Sequence, residues 1–317
     1  MRGLWIPVLC SVVCACGAAS NQAPIGASIS APVEAPKAAP SAPKAVVPDD
    51  VVQRAAQSFH AKRNADGHDF DQRQLFDELA HFDVVCLGEA HDAARDHYAE
   101  LAITQGVAER ARFSGRALGV GFEMFQVPYG SVLQLYGAGR MDDAALRKRT
   151  QYDARWGFPY AYYQPILAFS RTRGLPLKAL NAPRELTHAV ADKGLAGLTP
   201  KERRQLPDLD LDNSAHRAAF ERLMSGHPQT EGMNVDNFYA AQVVWDETMA
   251  DNAASWVAAR APSRQLLVLA GSAHCRQDAI PDRIARRQPL RVANVRLSAQ
   301  NAEDSEGFAY TVTFDGS

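Results

Sequence analysis

Short apolar runs alternate with longer stretches of helical periodicity along most of this chain. The first run is Asp83-Val84-Val85-Cys86-Leu87, the second Ala117 to Phe122, the third Leu175 to Leu180 and the fourth Gln265 to Ala270. All are rich in Val, Leu and Ala, and helical stretches separate them, which is the pattern of a mostly parallel sheet. After the first run, Tyr98, Leu101, Ala102, Gln105 and Val107 recur at helical spacing. Pro183 is placed to open a helix after the third. Asn234 to Arg260 reads as one long amphipathic helix whose apolar stripe is Phe238, Ala241, Val244, Trp245, Thr248, Met249 and Trp256. The expected fold class is α/β, a mostly parallel sheet flanked by helices, with helical insertions, in a three-layer sandwich over residues 50–317.

The first fifty residues carry no such pattern. Arg2 precedes an apolar run from Leu4 to Val13, far too short for a permanent membrane helix and suited to a signal-peptide core. Val13-Cys14-Ala15-Cys16 resembles the lipobox of bacterial lipoproteins, in which a small residue precedes the acylated cysteine. Cys16 fits that register; Cys10 and Cys14 follow Leu9 and Val13 and fit it worse. The expectation is a signal peptide over residues 1–15, a membrane lipid anchor at Cys16, and a flexible Ala/Pro-rich linker over 16–49. At roughly 3 Å per residue, that linker holds the body tens of ångströms from its anchor. Cell-envelope location follows, with the outer membrane favoured because Gly17 is not acidic.

The formal charge of −2 gives no reason to expect nucleic acid. Arg203-Arg204 and Arg286-Arg287 are isolated pairs without interleaved aromatics and read as solvated helix faces. Only Cys86 and Cys275 remain in the body, which rules out a disulfide-built scaffold. One bridge between them is compatible with an oxidising compartment, but two small buried thiols are the expected state.

All four runs exit on polar residues. The first leads into Gly88-Glu89-Ala90-His91-Asp92, the second ends at Glu123, the third at Asn181, and the fourth leads into Gly271-Ser272-Ala273-His274. Open α/β sheets bind ligands at the carboxyl ends of their strands, so Glu89, His91, Glu123, Asn181 and His274 are expected to share one space. Singly, each has a structural reading as a cap or surface group; as a set with two Gly-x-x-His exits, they point to a site. Residues 155–165, Arg-Trp-Gly-Phe-Pro-Tyr-Ala-Tyr-Tyr-Gln-Pro, are the densest aromatic stretch. They suit either a flat apolar ligand or core packing, with Tyr163, Ile166, Leu167 and Ser170 as an inner helix face.

At these residues the chain resembles the ChaN-like haem-binding uptake family of the Tiki superfamily, which also holds TraB-like proteins and erythromycin esterases. The anchors are residues 87–92 with His97 beyond, Gly121 to Phe125, Trp156 to Pro165, Leu180 to Arg184 and Ala270 to His274. The resemblance implies an envelope lipoprotein holding haem at or near a homodimer interface, with a tyrosine on the iron. Phenolate oxygen is a hard anionic donor suited to ferric iron. The candidates, in or near the aromatic segment, are Tyr163, then Tyr162, Tyr160 and Tyr129, with Asn181 as a further cofactor contact. No covalent haem-attachment motif is present, so haem would bind non-covalently.

Two other readings stand beside haem binding. In the first, the chain is a hydrolase: Glu89 or Glu123 acts as general base, His91 and His274 bind a divalent metal ion or serve as acid/base partners, and Arg95 clamps charge from four residues beyond His91. In the second, the chain is a tethered, non-catalytic interaction module. His97, His188, His216 and His227 are expected at the surface without a role, with His97 alone held in reserve as a haem or metal contact.

Overall fold

The computed structural model describes residues 48–225, 234–298 and 305–315. The signal segment, Cys16, nearly all of the linker and His227 lie outside the described residues. The strands are β1 (Phe59–Arg63), β2 (Asp69–Phe70), β3 (Val84–Glu89), β4 (Ala117–Gln126), β5 (Leu177–Asn181), β6 (Arg264–Gly271), β7 (Val292–Arg296) and β8 (Tyr310–Phe314). They form one sheet in the order β2-β1-β8-β7-β3-β6-β4-β5. From β8 to β5 every neighbouring pair is parallel; β1 pairs antiparallel with both β8 and β2.

β3 and β6 lie at the centre and are buried on both faces, which explains their almost unbroken apolar sequence. Their alternate residues feed two cores. Val85, Leu87, Leu267 and Leu269 join Leu75, Leu79, Ile103 and Val107 from the helices Gln72–Leu79 and Ala94–Ser114. Val84, Cys86, Leu266 and Val268 join Met249, Ala253, Val257, Ile280 and Ile284 from the helices Val235–Ala258 and Ile280–Arg287. Each of the Val, Leu, Ile and Met side chains among them contributes about 1.5–3 kcal/mol by leaving water. The period of two therefore fixes a three-layer α/β/α arrangement, as expected.

The chain inserts β6 between β3 and β4 after β5 has formed the far edge, so the crevice at this crossover lies where Glu89, Glu123 and Gly271 emerge. Several expectations need correction. β4 does not stop at Glu123; it runs on to Gln126, with its register to β5 shifting between Phe122 and Gln126. Cys86 and Cys275 are not free thiols but a disulfide, their Cα atoms 5.4 Å apart. Arg286 and Arg287 are not merely a solvated pair: Arg286 stays exposed and Arg287 is half-buried, and both pair with the fully buried Glu247.

Candidate functional site

Two clusters of ionisable side chains occupy the strand ends, one on each face of the sheet. On the face of the Ala94–Ser114 helix, β3 ends on Glu89, which is fully buried. Its Oε1 accepts from the Tyr163 hydroxyl at 2.8 Å and lies 2.5 Å from His91 Nδ1. Its Oε2 lies 3.2 Å from Nδ1 of His97 in the helix. The same nitrogen is 3.0 Å from Glu100 Oε2, and His97 Nε2–H donates to the His91 carbonyl at 3.1 Å.

Burial alone would push the Glu89 carboxyl up, but the charges of His97 and His91 and their hydrogen bonds overcome it and hold the group well below the usual range. Burial lowers the His97 imidazole while Glu89 and Glu100 raise it, with a net rise to about 10. Burial first, and the Glu89 charge second, push Glu100 well above an ordinary carboxyl.

On the opposite face, Glu123 Oε2 accepts from the Gly271 N–H at 2.8 Å and Oε1 lies 3.3 Å from His274 Nε2. His274 follows β6 in the one-turn helix Ser272–Cys275. Its Nδ1 lies 2.5 Å from Asp246 Oδ1, and the other Asp246 oxygen is 2.9 Å from His216 Nε2. Asp246 sits on the Val235–Ala258 helix, whose Asn234 cap accepts from the Asn237 N–H. Burial opposes ionisation of Asp246, yet the two histidines outweigh it and keep the carboxyl strongly depressed. An imidazole held between two carboxylates by one carboxylate's hydrogen bond is an oriented acid–base group. A cleft of 460 Å³, lined by His216, Gln242, Ser272, Ala273, Arg276 and Arg296 among others, opens beside this cluster.

The clusters meet at Gly271. A β-carbon there would stand 2.8 Å from His91 Nε2 and 3.7 Å from Glu123 Oε2. Trp156 and Phe158 roof the His91 ring at 5.0 and 4.7 Å between centroids. Glu89, His91, Glu123 and His274 are therefore brought together, as their shared strand-end position implied.

The remaining expected residues are placed differently. Arg95 is exposed and lines a surface groove with Arg54 and Thr313; the helix begins only at Ala94, so the four-residue spacing to His91 has no helical meaning. Asn181 turns its Oδ1 back onto the Ala182 N–H at 2.8 Å. Tyr163 is fully buried; Tyr162, 8 % exposed, donates to the Asp92 carbonyl, and Tyr160 donates to Asp143. Burial pushes all three phenols up. Their segment is chiefly core. Tyr129 is half-buried, in a short turn after β4, with the Arg155 guanidinium 5.2 Å from its ring centroid. Arg155 also reaches Gln126 and Glu185, and the Arg184 backbone N–H donates to the same Gln126 oxygen.

Sequence reasoning missed Glu100, His216 and Asp246, and gave His97 only a reservation. His97 and His216, expected at the surface, are buried. The signal for Asp246 was present: with Gln242 it forms an i, i+4 polar pair on a helix otherwise buried by apolar residues.

The fold is similar to that of ChaN of Campylobacter jejuni, whose solved structure is described as showing cofacial haem binding. That match has a TM-score of 0.66 at 18% identity, over 82% of this chain and 98% of the other. An erythromycin esterase structure matches with a TM-score of 0.44 at 13% identity, over 84% of this chain and 81% of the other. Among curated proteins, the chloroplastic protein RETICULATA-RELATED 5 of Arabidopsis thaliana is 28% identical over 233 residues, which are 69% of this chain and 31% of the plant protein. The chain thus spans less than a third of that relative's length. The model of one family, described as haem-binding uptake, Tiki superfamily, ChaN, matches residues 75–284, the stretch that holds both clusters, and the chain belongs to that family.

Proposed function

We propose that this chain binds haem non-covalently at its surface beside the carboxyl ends of β4 and β5, with Tyr129 as the iron ligand. The observation that carries this reading is the setting of Tyr129. Tyr163, Tyr162 and Tyr160 have their hydroxyls committed inside the protein, whereas Tyr129 is half-buried and lies against Arg155. Ferric haem brings iron that favours an anionic oxygen ligand and two carboxylates that favour guanidinium partners. Tyr129 suits the iron, and Arg155 and Arg184 suit the carboxylates. A phenolate donated from one side leaves the other haem face exposed, which a second copy of the chain would cover.

The proposal extends to location. A lipid anchor at Cys16 and the 16–49 linker would hold the domain in the cell envelope, at the outer membrane, where it meets haem outside the cell. The Cys86–Cys275 disulfide supports an oxidising compartment. Titration of the protein with haemin should give a saturable Soret shift, and a linear, non-saturating response would remove the reading. Mass analysis of the expressed protein should show acylation that Cys16→Ser abolishes.

A second reading, ester or peptide hydrolysis, is favoured by the buried Glu123–His274–Asp246–His216 chain and the cleft beside it. His274 would move the proton, Asp246 would orient it, and Glu89 or Glu123 would serve as base on water. Turnover of a substrate panel that His274→Ala leaves unaltered would sink it.

A further inference from the structure

We propose that Glu89, His97 and Glu100 form a binding site for one divalent cation of the zinc or manganese class. The site is independent of haem binding and differs from a His91–His274 pair. Donor atoms of the three residues all lie within 4.8 Å of one another, and all three residues are buried. His97 Nδ1 is 3.2 Å from Glu89 Oε2 and 3.0 Å from Glu100 Oε2. Adjacent ligands of a cation bound at about 2.1 Å, subtending about 90–110°, are separated by about 3.0–3.4 Å.

The hydrogen bonds around the trio already orient it as ligands are oriented. A carbonyl oxygen can only accept, so the contact with the His91 carbonyl requires the proton on His97 Nε2. In the neutral imidazole that leaves the Nδ1 lone pair facing the two carboxylates. A ligating histidine characteristically donates its other N–H to a carbonyl or carboxylate in this way. Glu89 is fixed likewise: Tyr163 and His91 take up Oε1, which leaves Oε2 turned to His97 Nδ1 at 3.2 Å. Glu100 Oε1 is a buried oxygen without a hydrogen-bond partner among the described residues. An unsatisfied oxygen in a fully buried carboxyl is costly, as is burying two carboxyls side by side, and a divalent ion would compensate both at once. One imidazole and two carboxylates suit zinc or manganese better than calcium or copper. The ion would tie the end of β3 to the Ala94–Ser114 helix directly beneath His91.

The test uses the full chain, stripped with chelator and titrated separately with Zn²⁺ and Mn²⁺. Metal analysis after dialysis should find one equivalent per chain, and the melting temperature should rise. Glu100→Gln keeps the side-chain volume; it should weaken binding at least about tenfold, since losing even an outer partner of a ligand costs about that much. X-ray absorption of the zinc-loaded native chain should show N/O ligation with a single imidazole, and needs no variant to fold. Failure to retain either metal, unchanged affinity in Glu100→Gln, or two imidazoles on the ion would each overturn the assignment. Neither experiment involves haemin, so its result is separate from that of the haem reading.

Discussion

His91 reaches the opposite cluster across the sheet edge because residue 271 is glycine: a β-carbon there would stand 2.8 Å from His91 Nε2 and 3.0 Å from its Cε1. Gly271 has an ordinary φ of −54°, so its need for glycine is one of space. Gly271→Ala should therefore destabilise the fold by about 1–3 kcal/mol, the usual cost of overpacking. Gly130→Ala, where a β-carbon meets nothing within 4 Å, should stay within about 0.5 kcal/mol of the parent. Urea unfolding of both variants decides the matter, and equal stabilities would mean that the two clusters do not meet at this residue.

Acid sensitivity should trace partly to His188. Burial, then the neighbouring Arg184, lower its imidazole from 6.5 to about 4. Between those values the unfolded chain takes up a proton that the folded chain refuses, so stability falls as pH drops from 6.5 towards 4. Below pH 4 both states are protonated and this contribution is constant. His188→Gln should flatten the slope of unfolding free energy in that window, and an unchanged slope would assign the effect elsewhere.

The Cys86–Cys275 bridge spans 189 residues of sequence. Long closed loops gain the most from cross-linking, and the bridge should contribute about 2–4 kcal/mol. Replacing both cysteines with alanine, or unfolding under reducing conditions, should lower stability by that amount. Identical denaturation curves with and without reductant would contradict it.

Much of this fold was legible because β3, β4, β5 and β6 are apolar runs bounded by polar exits. The edge strands were not. β8, Tyr-Thr-Val-Thr-Phe, and β1, Phe-His-Ala-Lys-Arg, interleave polar residues and carry no exit motif. Of the candidate site, the half borne by strand ends could be read from spacing. The half borne by helices was harder to read: Asp246 shows only through its i, i+4 spacing to Gln242, and His97 and Glu100 look like ordinary helix residues until tertiary packing buries them beside a partner. The tyrosines show the converse: the aromatic density around Tyr163 reflects packing against Glu89 and His97, while Tyr129 stands outside it.

Should the strand-end cluster catalyse hydrolysis, Asp246→Asn should lower kcat by about 10²–10⁴-fold and leave KM nearly unchanged. Asp246 orients the His274 imidazole, and an amide in its place would favour the wrong tautomer. Steady-state kinetics on any substrate found active provide the check; a change confined to KM would give Asp246 a binding role instead.

The most direct test of haem binding through Tyr129 is a haemin absorbance titration of the native chain beside Tyr129→Phe and Tyr163→Phe. The native chain and Tyr163→Phe should give the same saturable Soret band with the charge-transfer absorption of a phenolate-ligated ferric haem, and Tyr129→Phe should lose that absorption and bind more weakly. A native chain that does not saturate, or a Tyr129→Phe spectrum identical to the native one, would contradict the account.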